Sequence, residues 1–143
     1  MDIQKFILDN IFVVVVAVVS GAMLVWPMVR RTGGGASVDT LGATMLINKE
    51  DALVLDVREP AEFAAGHVLN ARNVPLSQLE SSVADLARYK KKPVIVCCNT
   101  GSRSGAAVTS LGKLGFEQVV NLSGGLAAWR AAGLPTGRLD AGK

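Results

Sequence analysis

Residues 10–29 carry no charge, and residues 12–19 are valine except for Phe12 and Ala17. This run sets the first limit on what the chain can become. At about 1.5 Å per residue, an uncharged helix of that length spans the roughly 30 Å hydrocarbon layer of a bilayer. Valine is a middling helix former in water, but in lipid the backbone has no other way to satisfy its hydrogen bonds. Half of all residues are hydrophobic and the mean hydropathy is +0.36, high for a soluble domain, and this run accounts for the excess. Residues 1–31 are therefore expected to form an N-terminal transmembrane anchor that meets lipid through residues 10–29. A cleaved signal peptide is the competing reading. Signal peptides begin basic, carry a shorter apolar core and end in a small-x-small site. Here Asp2, Lys5 and Asp9 mix charge ahead of the run, and Trp26, Pro27 and Met28 close it. An uncleaved anchor fits better, with Trp26 suited to the interfacial belt.

Arg30 and Arg31 directly follow the run. Basic flanks stay cytoplasmic, so the expectation is a single-pass protein of the inner (cytoplasmic) membrane with its domain facing the cytoplasm. The two cysteines, Cys97 and Cys98, are adjacent and build no disulfide framework, which agrees with a reducing compartment. With one histidine and no second cysteine pair, the chain offers no metal-ligand set. A net charge of +3 gives no reason to expect nucleic acid.

Residues 32–37 (TGGGAS) read as a Gly-rich linker that reaches at most about 20 Å. Residues 38–138 form the domain. A helix is expected over residues 40–47, capped by Asp39 or Thr40, then a buried strand at 52–57 (ALVLDV). Pro60 suits the first turn of a helix that Gly66 closes. Residues 71–75 read as extended, and apolar residues at 76, 79, 83, 86 and 87 give helical spacing up to Tyr89. Residues 94–97 (VIVC) are strand-like, 103–114 helical up to Gly115, 119–122 a strand, and 125–132 a helix stopped by Gly133 and Pro135. Strands alternating with helices predict an α/β fold, a parallel sheet with helices on both faces. Ligands of such sheets bind where the strand-to-helix loops gather.

One of those loops carries chemistry. Cys98-Asn99-Thr100-Gly101-Ser102-Arg103-Ser104 joins the strand VIVC to the next helix. A thiol there meets successive backbone N–H groups at the positive end of a helix dipole, which favours the thiolate and an anionic ligand. Gly101 allows the tight turn, and Arg103 adds a positive charge. Cys97 points to the opposite face of the strand and belongs to the core. A core cysteine has no use for the polar run behind Cys98, so Cys98 is the reactive thiol.

LDVREPAEFAAGHVLNARNVPL (residues 55–76), VIVCCNTGSRS (94–104) and NLSGGLAAWRAAGLP (121–135) resemble, in order, the signature stretches of single-domain rhodaneses. The resemblance covers the whole of residues 38–138. It implies a rhodanese-like α/β sheet in which Cys98 takes a sulfane sulfur as a persulfide and passes it on. The sulfur would come from thiosulfate or a persulfide donor and go to a thiol or cyanide acceptor, with no cofactor. Asn99, Thr100, Gly101, Ser102 and Arg103 would bind the substrate. Four residues separate Cys98 from Arg103. The related phosphatases and arsenate reductases have one residue more, so the shorter loop resembles the sulfurtransferases. Asp56 and Arg58 are expected to hold loops together, and His67 to make a structural hydrogen bond, because an ionised thiol needs no base. Trp129 is expected in the core and Lys90-Lys91-Lys92 in a solvated turn. The alternative is a non-enzymatic module of this fold that docks on a membrane-protein partner.

Overall fold

The computed structural model describes residues 2–31 and 36–139. The chain divides into two units, residues 1–33 and 34–143. In the first, helix α1 (Ile3–Asp9) is followed by α2 (Ile11–Arg31). The expected single span is thus preceded by a separate short helix. Asn10 leaves helical geometry (φ −121°, ψ 28°), and its side-chain amide donates to the Phe6 carbonyl oxygen at 2.9 Å. That side-chain bond offers the backbone a local alternative to the helix ladder. The segments Ile3–Asp9 and Ile11–Trp26 meet at 87°. Among the described residues no single helix is long and apolar enough to cross a membrane, although this bent pair passes on length and composition together.

The second unit is an α/β fold. Its strands are β1 (Ala36–Val38), β2 (Leu53–Asp56), β3 (His67–Val68), β4 (Arg72–Asn73), β5 (Val94–Cys97), β6 (Val119–Leu122) and β7 (Thr136–Gly137). Its helices are α3 (Thr40–Glu50), α4 (Pro60–Ala65), α5 (Val83–Leu86), α6 (Ser102–Lys113) and α7 (Gly125–Ala131). Five strands form a parallel sheet in the order β1-β6-β5-β2-β4. β5 lies at its centre and is buried at every position. Its period-two alternation fills both faces. Val94 and Val96 enter one core with Leu111 of α6, while Ile95 and Cys97 enter the other with Leu126 and Trp129 of α7.

Several sequence expectations hold in detail. Asp39 caps α3 by accepting from the Gly42 N–H at 2.7 Å. Pro60 opens α4 and Gly66 closes it. Trp129 is buried and its indole N–H donates to the Pro135 carbonyl at 2.9 Å. Three differ. Residues 32–35 of the expected linker lie outside the described residues, while Ala36 and Ser37 belong to β1 and pair with Val120 and Asn121. The domain thus starts before residue 38. The helix expected to run from residue 76 to 89 is instead two 3-10 turns (Leu76–Gln78, Ala87–Tyr89) flanking the four-residue α5. The Ser81 hydroxyl takes the Gln78 carbonyl at 2.9 Å, a local bond that competes with the helix. Leu79 and Leu86 are nevertheless fully buried, so the apolar spacing reported burial and not continuity. Finally, β3 and β7 form a two-stranded antiparallel sheet, too short for its pattern to stand out in the sequence.

Candidate active site

All five strands of the main sheet run the same way, so the ends of β2, β5 and β6 open on one side. The loop after β5 begins at Cys98, whose side chain continues the Val94–Val96 face. Gly101 turns the chain at φ +92° and leads into α6. A Cβ there would lie 3.3 Å from the Gly124 backbone nitrogen, so the turn needs glycine for conformation and for space.

The sulfur of Cys98 is enclosed, with the residue 0% exposed. The Gly101 N–H donates to it at 3.0 Å, and the Ser104 hydroxyl stands 3.4 Å away. Burial acts to raise its pKa. The Ser104 hydroxyl and the N–H groups of Ser104, Thr100 and Gly101 outweigh burial and bring it below the ordinary thiol value. Cys97 is the opposite case. Burial first, then the Asp56 carboxylate, push its pKa up to about 12, against a smaller opposing effect of Arg58. Two adjacent cysteines are thus set apart by the pleat of one strand. One faces hydrogen-bond donors, the other an apolar core.

The first turn of α7 holds this cradle in shape. The N–H groups of Leu126 and Ala127 donate to the carbonyls of Cys98 and Asn99 at 2.8 and 3.1 Å. Those carbonyls are thereby turned away from the sulfur, which leaves the N–H side of the loop facing it. Gly125 makes the approach possible. At φ +57°, a Cβ on it would meet the Cys98 oxygen at 2.3 Å and the Asn99 carbonyl at 2.8 Å. Both contacts are with backbone, so they cannot be relieved by a rotamer change. Gly125→Ala is expected to destabilise the protein by about 3 kcal/mol and to weaken the donors around Cys98. Thermal unfolding of the full-length protein in detergent checks the first effect, and the pH midpoint of thiolate absorbance the second.

The expected binding residues are gathered in this loop but are unlike one another. Asn99, Thr100, Ser102 and Arg103 are exposed and Gly101 is half-buried. The Thr100 and Ser102 hydroxyls are 3.4 Å apart. Arg103 was expected to lend its charge to the anion, yet its fork grips Glu62 of α4 at 3.2 and 2.9 Å. The Glu62 carboxylate is held below its usual pKa range chiefly by that contact. Arg103 therefore joins α6 to α4 through an exposed ion pair.

Asp56 and Arg58 form a buried ion pair at 2.7 Å. Arg58 also donates to the Gly66 carbonyl at 2.6 Å, and Asn73 donates to the carbonyls of Asp56 and Arg58. These are loop-holding contacts, as expected from the sequence. His67 sits within 2.7 Å of the Phe63 carbonyl through Nδ1 and stacks on the Phe63 ring at 3.8 Å, which is a structural placement. Lys92 pairs with Asp51 at 2.6 Å on the surface.

Sequence reasoning passed over two residues at the site. Ser104 is fully buried on α6 beside Ala107, Val108 and Leu111, and a serine on that apolar stripe was the available signal. Asn121 of β6 donates to the Gly101 carbonyl at 3.1 Å and accepts a hydrogen bond from the Ser104 hydroxyl. A polar residue inside the strand VVNL marked it.

The domain is a parallel α/β sheet with a donor-lined cysteine loop at the end of its central strand. The comparisons agree. The model of the rhodanese-like domain matches residues 42–132, and the chain belongs to the rhodanese-like family. It is 42% identical over 91 residues to the uncharacterized protein slr1261 of Synechocystis sp., across 63% of this chain and 50% of that one. To the thiosulfate sulfurtransferase GlpE of Pseudomonas putida it is 40% identical over 91 residues, across 62% of this chain and 79% of that one. The crystal structure of a thiosulfate sulfurtransferase from Pseudomonas aeruginosa matches with a TM-score of 0.66 and 32% identity, over 73% of this chain and 20% of that one. The chain thus spans about half the length of its Synechocystis relative.

Proposed function

We propose that this protein is a sulfurtransferase that moves sulfane sulfur through a Cys98 persulfide at a membrane surface. The observation that carries the reading is the convergence of the Gly101 N–H and the Ser104 hydroxyl on the Cys98 sulfur. Donors placed there favour the thiolate, which is the nucleophile. The thiolate attacks the outer sulfur of thiosulfate, the S–S bond breaks, and sulfite leaves with the bonding pair. Cys98 then holds one extra sulfur as a persulfide anion. A thiolate or cyanide acceptor attacks that sulfur, and the pair of the second S–S bond returns to Cys98. Charge and electrons balance without a cofactor. Asn99, Thr100, Gly101, Ser102 and Arg103 make up the loop that follows Cys98 and would receive the donor. Because Cys98 is fully buried, the site must open to admit a donor. That enclosure is also the one observation favouring the alternative, a non-enzymatic docking module. Thiocyanate formation from thiosulfate and cyanide by the full-length protein decides between them, and absence of turnover with every sulfane donor favours docking.

The membrane reading rests on α2. Phe12, Val13, Val15, Val16, Val18, Val19, Met23, Leu24 and Val25 are all exposed large apolar side chains on one helix. Each would gain roughly 1.5–3 kcal/mol on leaving water, and the flanking Arg30 and Arg31 favour a cytoplasmic domain. Carbonate-washed inner membranes are expected to retain the full-length protein with its N-terminus intact, and external protease is expected to spare the domain. Release of a shortened soluble form contradicts the anchor, and digestion from outside reverses the topology.

A further inference from the structure

Ser104 has one hydroxyl proton and three neighbours that can accept it: the Asn121 Oδ1, the Gly101 carbonyl at 3.1 Å and the Cys98 sulfur at 3.4 Å. The orientation of the Asn121 amide is fixed by chemistry. Its Nδ2 faces the Gly101 carbonyl, which only accepts, so its Oδ1 faces Ser104. Against a neutral thiol, a carbonyl oxygen is the better acceptor, so the Ser104 proton goes to oxygen and the Cys98 S–H donates to the Ser104 hydroxyl. Against a thiolate, the charge-assisted bond is stronger, and the hydroxyl must turn from Asn121 to the sulfur.

We propose that Asn121 is a positioning residue that competes with Cys98 for the Ser104 proton and so sets how readily Cys98 is held as a thiolate. The inference rests on the reading of Cys98 as the reactive thiol. It assigns to β6 a part in the chemistry that β5 and its loop present. The charged groups around this centre are Arg103 of α6, engaged by Glu62 of α4, and the Asp56–Arg58 pair at the end of β2. All four have partners within their own pairs, and Cys97 behind the strand stays neutral. The Ser104–Asn121 pair is therefore the adjustable element beside the sulfur.

The test is a titration of ultraviolet thiolate absorbance on the full-length protein in detergent, with Cys97→Ser as background. Ser104→Ala removes the side-chain donor and should raise the Cys98 midpoint by about one pH unit. Asn121→Ala removes the competitor and should lower it by about half a unit. Asn121→Asp strengthens the acceptor facing Ser104, loses the donor to the Gly101 carbonyl and adds a negative charge, so it should raise the midpoint, and by less when Ser104→Ala is present. A purely structural part for Asn121 moves both of its variants upward, since a loosened loop loses donors. With Ser104→Ala already present, Asn121→Ala should have no effect, because the coupling passes through that hydroxyl. An upward shift for Asn121→Ala, or a downward one undiminished without Ser104, overturns the proposal. If Asn121→Ala does not fold, Asn121→Asp carries the test, and an upward shift equal in the two backgrounds overturns it. The titration reads the thiol alone, so it can succeed or fail separately from sulfur transfer by the wild type.

Discussion

Cys98→Ser is expected to reduce thiocyanate formation from thiosulfate and cyanide on the order of 10³-fold or more, while Cys97→Ser retains most of it. The two residues are neighbours, and the difference between them is wholly one of environment. A serine at 98 keeps the donors but loses the polarisable, ionised sulfur that attacks and leaves. A serine at 97 can still donate to the Cys98 carbonyl, as the Cys97 thiol does at 3.4 Å, so the loop is held as before. The pH profile carries the same contrast. Because the Cys98 pKa is lowered, the rate rises as pH increases through a midpoint below the ordinary thiol value of about 8.5 and then levels. Cys97, pushed up to about 12, adds no thiolate near neutrality. Equal loss in both variants, or activity surviving in Cys98→Ser, contradicts the assignment.

The largest expected loss of stability is at Asp56. Its carboxylate accepts from the Arg58 backbone N–H, Nε and Nη2 between 2.7 and 3.1 Å. The two side chains are 1% and 5% exposed. Asp56→Ala leaves the guanidinium buried with the Gly66 carbonyl as its remaining acceptor. An uncompensated buried charge of this kind costs about 3–5 kcal/mol. Asp56→Asn, which keeps the shape and one acceptor, should cost less. Denaturant unfolding of the two variants against the wild type checks the order. Sulfur transfer per folded molecule should persist in both, since the pair makes no hydrogen bond to Cys98.

How far the sequence could be read depended on how locally each feature is encoded. Val94, Ile95, Val96 and Cys97 make a fully buried strand in any parallel sheet, and the face of Cys98 follows from the period of two. Glycines that stop or turn the chain were equally plain, as at Gly66 and Gly101. What could not be read came from contacts distant in sequence. Glu62 and Arg103 are on different helices, and nothing local tells that their charges meet. Ser104 and Asn121 look unremarkable apart and matter only as neighbours across α6 and β6. The helical spacing up to Tyr89 reported which residues are buried, while Ser81 settled the backbone by a bond to a carbonyl three residues away. At the front, composition described an apolar run, and the turn at Asn10 depended on one side-chain amide.

The most direct test of the central claim is the mass of Cys98 after contact with a donor. Full-length protein is incubated with thiosulfate, freed of excess reagent and digested without reductant. The peptide containing Cys97 and Cys98 is then weighed and fragmented. Cys98 is expected to gain one sulfur atom, lost on adding cyanide as thiocyanate appears, with no gain in Cys98→Ser. An unmodified Cys98, or a sulfur found on Cys97, contradicts that claim.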